Sequence, residues 1–532
     1  MQTLFLSLFK AKTEQDINEI ILSNPDYFKN DNWFPIGGNE SNFSVIENQQ
    51  SNPIASLVEK VTNSIDANLM KRCLEEGINP RGETAPKSMD EAVKQFYPKS
   101  KDWDLKTFRR KQAEEIQVVA DGSPKNTSVI IYDNGEGQNP DEFENTFLSL
   151  MRGNKNDIMF VQGKYNMGGS GAIVFCGKKG YQLIGSKRFD NKGKFGFTLV
   201  REHPFTSGES VSKKNTWYEF LKIETQIPSF DMDEMDLMLH DRKFKTGTII
   251  KLYSYQFPSG YYGFAQDLNQ SFNEFLFEPL LPVLTVDKKE RYPNNKVLEA
   301  DLYGLKRRLE EEKNYVEDWF SEKYEDELFG NMKVTCYVFK PKQEGKSVKD
   351  TKDDIKRRYF KNGMSVLFSM NGQVQGHYTT EFISRTLKFN LLKDYLLIHV
   401  DCTQMKYEFR KELFMASRDR LKNGDESNQL REYLGKKLRQ SQLDDTNRKR
   451  KESIGFESED TTDLIKSFAK NLPKDSELFK LLQNTLKLEE KKKQQEQKAD
   501  KQPQKKEEQT PFNPKRFPTL FKHHHKNEIF MN

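Results

Sequence analysis

The sequence predicts an α/β protein whose C-terminal part is helical and charged, and three observations carry that reading. The first is composition: 39 Phe, 20 Tyr and 35% hydrophobic residues stand beside 31% charged ones in a chain of 532 residues. That is too aromatic for a disordered chain and too polar for a membrane one. The length allows about two to four domains, with ample chain to bury a core. The second is texture: over residues 1–255, helical patterns alternate with β-rich runs at 128–132, 181–186, 196–201 and 248–253, bounded by Gly, Asp and Lys. The third is the loss of that texture after residue 424, where the chain turns helical. Over 485–508 it then consists mainly of Lys, Glu and Gln, which cannot bury a core and reads as a solvated helix or a linker.

The expected layout follows. Residues 1–255 form a first domain with an N-terminal arm, and 256–330 a connecting helical segment with a helix over 299–327. Residues 331–423 form a second α/β domain, with strands at 333–339, 365–368 and 395–400 and a helix over 411–422. Residues 424–484 are a helical region and 485–532 a charged linker and tail. Lys plus Arg (85) nearly balances Asp plus Glu (80), for a net charge of +5, so any nucleic-acid surface has to be a local patch. The cationic stretches 346–361 and 448–451 are the candidates. The four cysteines form no CxxC pair, which excludes a disulfide framework or a zinc knuckle and fits a reducing cytoplasm. The apolar run 275–286 is broken by Glu278 and Pro279, so no segment spans a membrane. Residues 4–9 are apolar but lack the basic start and cleavage site of a signal peptide. The three adjacent histidines 523–525 cannot converge on one metal ion as i, i+4 pairs do.

Four stretches carry chemistry. In 52–67, Asn52 is a good N-cap and Pro53 suits the first turn, so a helix begins here. At about 100° per residue, Glu59, Asn63 and Asp66 share one face while Ile54, Leu57, Val58, Val61 and Ile65 take the other. By itself such a row also fits a solvated polar face. In 128–137 an apolar strand runs into Asp133 and the turn Asn134-Gly135-Glu136-Gly137. A carboxylate there can accept from an exocyclic amine, and two glycines let a flat ring approach the backbone; an ordinary Asn-Gly hairpin turn has the same letters. In 163–172, four glycines precede the apolar run 172–175. This describes a mobile loop feeding a helix N-terminus, whose N–H groups suit phosphate oxygens. The absence of a correctly spaced Gly-Lys-Ser/Thr triplet excludes a Walker A loop. The fourth stretch, Thr246-Gly247-Thr248, leads into an alternating strand.

In order and spacing these stretches resemble the motifs of the GHKL ATPases (gyrase B, heat-shock chaperones, histidine kinases, MutL), whose nucleotide pocket is the Bergerat α/β sandwich. The resemblance covers about residues 35–255. The glycine loop and Phe175-Cys176-Gly177 look closest to prokaryotic MutL/MORC-like ATPases of restriction and antiphage-defence loci. Asn371-Gly372-Gln373, Asp401-Cys402 and 414–420 look like the transducer domain of those proteins. The resemblance implies Mg²⁺-dependent ATP hydrolysis, with Glu59 as the base that activates water and Asn63 as the Mg²⁺ ligand. It gives Asp66 a part in shaping the pocket, Asp133 the adenine amine, Gly135 and Gly137 the walls of the ring, and Thr248 a water-mediated contact with the base. Gly163, Lys164, Asn166, Gly168, Gly169 and Gly171 become the ATP lid. A basic transducer residue is expected at the γ-phosphate, with Lys388, Lys393 and Arg410 as candidates. Two departures stand out: Asn166 lies where Gly is frequent, and a long insertion occupies roughly 71–126. The implied output is an ATP-dependent homodimer acting as a clamp on DNA in host defence, with partner proteins such as a nuclease. A chaperone-like clamp on protein clients and a mismatch-repair-like MutL-type ATPase are the alternatives, and no endonuclease metal motif appears. His399 reads as a packed strand residue.

Overall fold

The computed structural model describes residues 1–453 apart from 151–154, 156, 164–169, 206–215, 259–267, 269–270, 273–274, 291–295, 303, 312–313, 361–362, 416–417 and 419, and also residues 522–524 and 528–530. Internal packing separates 1–449 from 450–532. In the second unit, Lys522–His524 pairs antiparallel with Glu528–Phe530. The tract 485–508 and His525 lie outside the described residues. Among the described residues no helix is long and apolar enough to cross a membrane. All four cysteines are buried free thiols.

A ten-stranded sheet organises the N-terminal half. Its strands are β1 (Trp33–Pro35), β2 (Ile116–Ser123), β3 (Asn126–Asp133), β4 (Gln182–Lys187), β5 (Phe195–Glu202), β6 (Tyr218–Leu221), β7 (Ser229–Phe230), β8 (Gly247–Leu252), β9 (Val283–Asp287) and β10 (Leu298–Leu302). The order is β1-β6-β5-β4-β8-β3-β2-β9-β10, with β7 against β5. Only β2–β9 is parallel. The helices of this half are α1 (Gln2–Lys10), α2 (Glu14–Ser23), α3 (Phe43–Glu47), α4 (Pro53–Glu75), α5 (Met89–Phe96) and α6 (Lys106–Ala113).

Period-2 alternation decides which helix meets which face. Val118, Ala120, Val129 and Ile131 pack in one cluster with Leu57, Val58, Val61 and Ile65 of α4. Val119, Ile130 and Tyr132 point the other way, into a cluster with Phe5, Leu8 and Phe9 of α1. Asp133 has the parity of Val129 and Ile131, so its side chain arrives on the α4 side. α4 itself starts where the sequence indicates: the Asn52 side chain accepts from the backbone N–H of Ile54 and Ala55, and Pro53 fills the first turn. That cap is worth about 1 kcal/mol.

The second sheet lies within the same unit and has five strands in the order β11-β12-β15-β13-β14. They are β11 (Val316–Asp326), β12 (Gly330–Phe339), β13 (Met364–Met370), β14 (Gln373–Thr379) and β15 (Leu396–Asp401), with β13 parallel to β15. Helices α7 (Gly304–Glu311), α8 (Val348–Tyr359), α9 (Tyr407–Leu413), α10 (Asp425–Arg439) and α11 (Gln442–Ser453) accompany it. Leu430, Leu434 and Leu438 of α10 cover one face, packing on Val334, Val366 and Ile398. Leu305, Leu309, Ile355 and Tyr359 cover the other, with Tyr337, Leu367 and Leu397.

Three local expectations are corrected. The helix expected over 299–327 is instead β10, the short helix α7 and β11. Its Glu- and Lys-rich letters favour a helix locally, but ten cross-strand pairs with β12 outweigh propensity. The helix expected over 411–422 stops at Leu413; Phe414 bridges to Leu421, and Arg418 adopts φ +55° in between, which no right-handed helix continues. The apolar run 172–175 makes only one 3₁₀ turn, Ile173–Phe175. Cys176 then bridges to Tyr255 and Gly177 takes φ +57°, which ends it.

Candidate functional site

The polar face of α4 meets three separate segments, and each meeting follows from the local fold. At its C-terminal end, Asp66 is fully buried. Its carboxylate accepts from the backbone N–H of Gln162 at 3.0 and 3.1 Å and of Gly163 at 2.8 Å. Burial raises the Asp66 pKa, opposed by the ammonium of Lys155, those two N–H groups and the charge of Arg418. Asn63 lies one turn earlier. A Cβ on Gly163 would stand 3.0 Å from Asn63 Oδ1 and 3.2 Å from Asp66 Oδ2, so glycine is what lets the loop lie this close to α4.

Asp133 closes β3 at the middle of the helix. Ser64 Oγ donates to its Oδ2 at 3.1 Å, and Gly135 N–H donates to its Oδ1 at 3.0 Å. Burial pushes the Asp133 carboxyl up to about 7 against those two donors and Lys155. The turn is tight: Glu136 N–H donates to Ala67 O at 3.0 Å, and a Cβ on Gly135 would stand 2.5 Å from Ala67 Cβ. At Gly137, with φ +61°, a Cβ would fall 2.0 Å from Lys187 O. Both glycines are therefore sterically required. Thr248 lies opposite both Asp133 and Ser186 in the strand register, with its Oγ1 3.1 Å from Ser186 Oγ. Lys155 joins these groups: its Nζ lies 3.5 Å from Glu136 Oε1. Burial lowers its pKa, but the carboxylates of Glu136, Asp66 and Asp133 outweigh that and leave it raised.

At the other end of the polar row, Glu59 meets the second sheet. Arg418 Nη1 and Gln373 Nε2 each donate to Glu59 Oε1 at 2.7 Å. Gln373 Oε1 in turn accepts from Arg418 Nη1 and from Gln162 Nε2, both at 2.6 Å. Arg418 holds φ +55°, a conformation that costs a non-glycine residue about 1–3 kcal/mol and clusters at functional sites.

The structure thus brings Glu59, Asn63, Asp66, Asp133, Gly135, Gly137, Gly163 and Thr248 onto one side of the first sheet. Gly171 lies farther along the helix, its carbonyl accepting from Ser56 Oγ at 3.4 Å and its Cα beside Gln49 and Gln50. Lys164, Asn166, Gly168 and Gly169 lie outside the described residues. Of the expected cations, none of Lys388, Lys393 and Arg410 reaches Glu59; Arg410 donates to Thr403 O at 3.1 Å instead. Sequence reading placed Gln373 and the stretch 414–420 in the transducer-like runs without giving Gln373 or Arg418 a role at the site, and it missed Gln162 and Lys155. Gln373 had a signal, the Asn371-Gly372 pair that sets a two-residue hairpin turn. Gln162 and Lys155 sit in irregular chain with none, and Arg418 had only the likeness of 414–420. His399 is a packed strand residue, stacked on Phe277 at 3.4 Å and hydrogen-bonded to Ser369 Oγ at 2.7 Å, with its pKa well below normal from burial and from Lys306 and Lys333.

Of the cationic stretch 346–361, Lys346 and Arg357 pair with Asp354, and Lys352 and Lys356 pair with Asp394. Comparison with models of known protein families finds no match, and comparison with curated proteins finds none either.

Proposed function

We propose that this chain binds Mg·ATP at the α4 face and hydrolyses it, the first sheet with its helices being a Bergerat-type sandwich and the second a transducer-type domain. The observation that carries the proposal is the convergence on one helix of the Asp133 carboxyl, the Gly163 backbone and the Arg418 guanidinium, which comes from the chain beyond the second sheet. Each oxygen of Asp133 accepts one donor and has lone-pair capacity for an exocyclic amine, and Gly135 and Gly137 keep the turn after it packed against Ala67 and Lys187. Asn63 Oδ1 and Asp66 are oxygen donors of the kind Mg²⁺ takes. Among the described residues no cluster of three or more His, Cys, Asp or Glu could hold a metal alone. When bound, Mg²⁺ supplies charge neutralisation at the phosphates.

The chain's own residues then divide the work. Lys155 places a positive charge beside Asp133 and Asp66, and Gly163 starts the phosphate loop. Glu59 orients the attacking water and takes its proton. Arg418 is the basic residue that the second domain offers to developing phosphate charge. Closure of the loop pairs two chains into a clamp, with duplex DNA as its client in a defence setting. Calorimetry with Mg·ATP and phosphate release test the chemistry. Glu59→Gln is expected to keep its ATP affinity, lose about 10²–10⁴ in rate and accumulate as an ATP-bound dimer in light scattering. A parental rate in that variant refutes the mechanism; a monomeric but inactive variant refutes only the clamp.

A further inference from the structure

We infer that Gln373 is a positioning residue that fixes the orientation of Glu59 and reports the placement of the second sheet to the glycine loop. The inference rests on the ATPase reading above and adds to it a residue and a mode of coupling between the sheets. Gln373 is buried, and its amide bridges groups of opposite type. Nε2 donates to the Glu59 carboxylate, while Oε1 accepts from the Arg418 guanidinium and from the Gln162 amide. A carboxylate can only accept and a guanidinium can only donate, so one orientation of the amide satisfies both. Gln373 and Arg418 both engage Oε1 of Glu59. No described residue donates to Oε2, which is the oxygen left to take a proton from water.

The backbone that carries Gln373 is held with equal definition. Asn371 and Gly372 have φ +47° and +76°, the two-residue turn that joins β13 to β14 and places Gln373 opposite Met370. The Gly372 carbonyl accepts from the N–H of Phe277 at 2.8 Å and of Glu278 at 3.2 Å, and Val374 N–H donates to Phe275 O at 2.7 Å. A Cβ on Gly372 would lie 1.8 Å from Glu278 O. The turn is therefore clamped to the segment that leads into β9 of the first sheet. Movement of the second sheet relative to α4 carries Gln373 with it. It then changes at once the contact with Glu59, the partner of Arg418 and, through Gln162, the N–H groups that hold Asp66 at the start of the loop.

The test uses the full chain. Gln373→Met removes the amide at similar length, and Gln373→Glu sets a carboxylate against Glu59. For Gln373→Met the expected result is a fall of about 10–100-fold in kcat, with ATP affinity and melting temperature close to parental. For Gln373→Glu, a like charge beside the base disfavours its ionised form, so the acidic limb of the kcat–pH profile moves up by about one pH unit or more. Parental kcat in Gln373→Met, or losses that track ATP affinity and melting temperature in both variants with an unmoved pH profile, overturn the inference. Glu59→Gln, assayed beside them, separates the two readings. An inactive Glu59→Gln with an unaffected Gln373→Met removes this inference alone; a fully active Glu59→Gln removes Glu59 as the base and this inference with it, and a parental chain that neither binds Mg·ATP nor releases phosphate removes the ATPase reading.

Discussion

Replacing Asp133 with Asn should make the protein more stable and at the same time poorer at holding ATP. Asp133 is 6% exposed, and its carboxyl is pushed from 3.8 to about 7, burial being the largest cause. At about 1.36 kcal/mol per pH unit, that displacement sets a ceiling of about 4 kcal/mol on the cost of keeping this carboxylate charged in the fold. Relaxation of the surroundings leaves about half of it, on the order of 2 kcal/mol. The sign follows from linkage. Because the folded-state value lies above the unfolded one, the protein is stabilised by the neutral acid below about pH 4. That stabilisation is lost progressively as pH rises to about 7 and stays lost above it. Asparagine cannot ionise. Its carbonyl keeps the Gly135 N–H, and the Ser64 hydroxyl can turn to accept from its amide. Calorimetric melting of both proteins from pH 4 to 8 should show curves that coincide at the acid end. They should separate through the window and differ by about 2 °C at pH 8, with the Asn variant higher. In the same variant a donor faces the adenine amine, which costs about 1–3 kcal/mol, so ATP affinity should fall at least several-fold. An Asn variant that melts lower than the parent at pH 8, or by a margin independent of pH, refutes the buried-charge argument. Unchanged ATP affinity removes Asp133 from the site.

Gly135→Ala forces a methyl to within 2.5 Å of Ala67 Cβ and 2.6 Å of Asp133 Oδ1; overpacking of that kind costs about 1–3 kcal/mol. Its melting temperature should drop and ATP binding weaken, while Gly171→Ala, whose nearest contact would be 3.2 Å, should be much milder in both assays. Duplex DNA held by α8 should show a shallow salt dependence. That helix carries Lys349, Lys352, Lys356, Arg357 and Arg358 against Asp350, Asp353 and Asp354, so the slope of log affinity on log salt should not exceed about 2 in magnitude. A slope steeper than about 5 in a fluorescence titration would place the DNA surface elsewhere.

What the sequence determined by itself is local. The α4 start at Asn52-Pro53, the polar row Glu59, Asn63 and Asp66, and the strand that ends on Asp133 are all readable, because caps, the 3.6-residue period and the 2-residue period act between near neighbours. The same letters could not say that Asp66 would be fully buried. That depends on Gln162 and Gly163 arriving from 96 residues away to supply its donors. Residues 316–326 show the limit most clearly. Their local preference is helical, yet pairing along β12 makes them a strand, and pairing energy belongs to the partner and not to the segment. Arg418 is the functional case. It sits in irregular chain 359 residues from Glu59, with no period or cap to mark it, and only the docking of the second sheet against α4 decides that this cation meets the carboxylate.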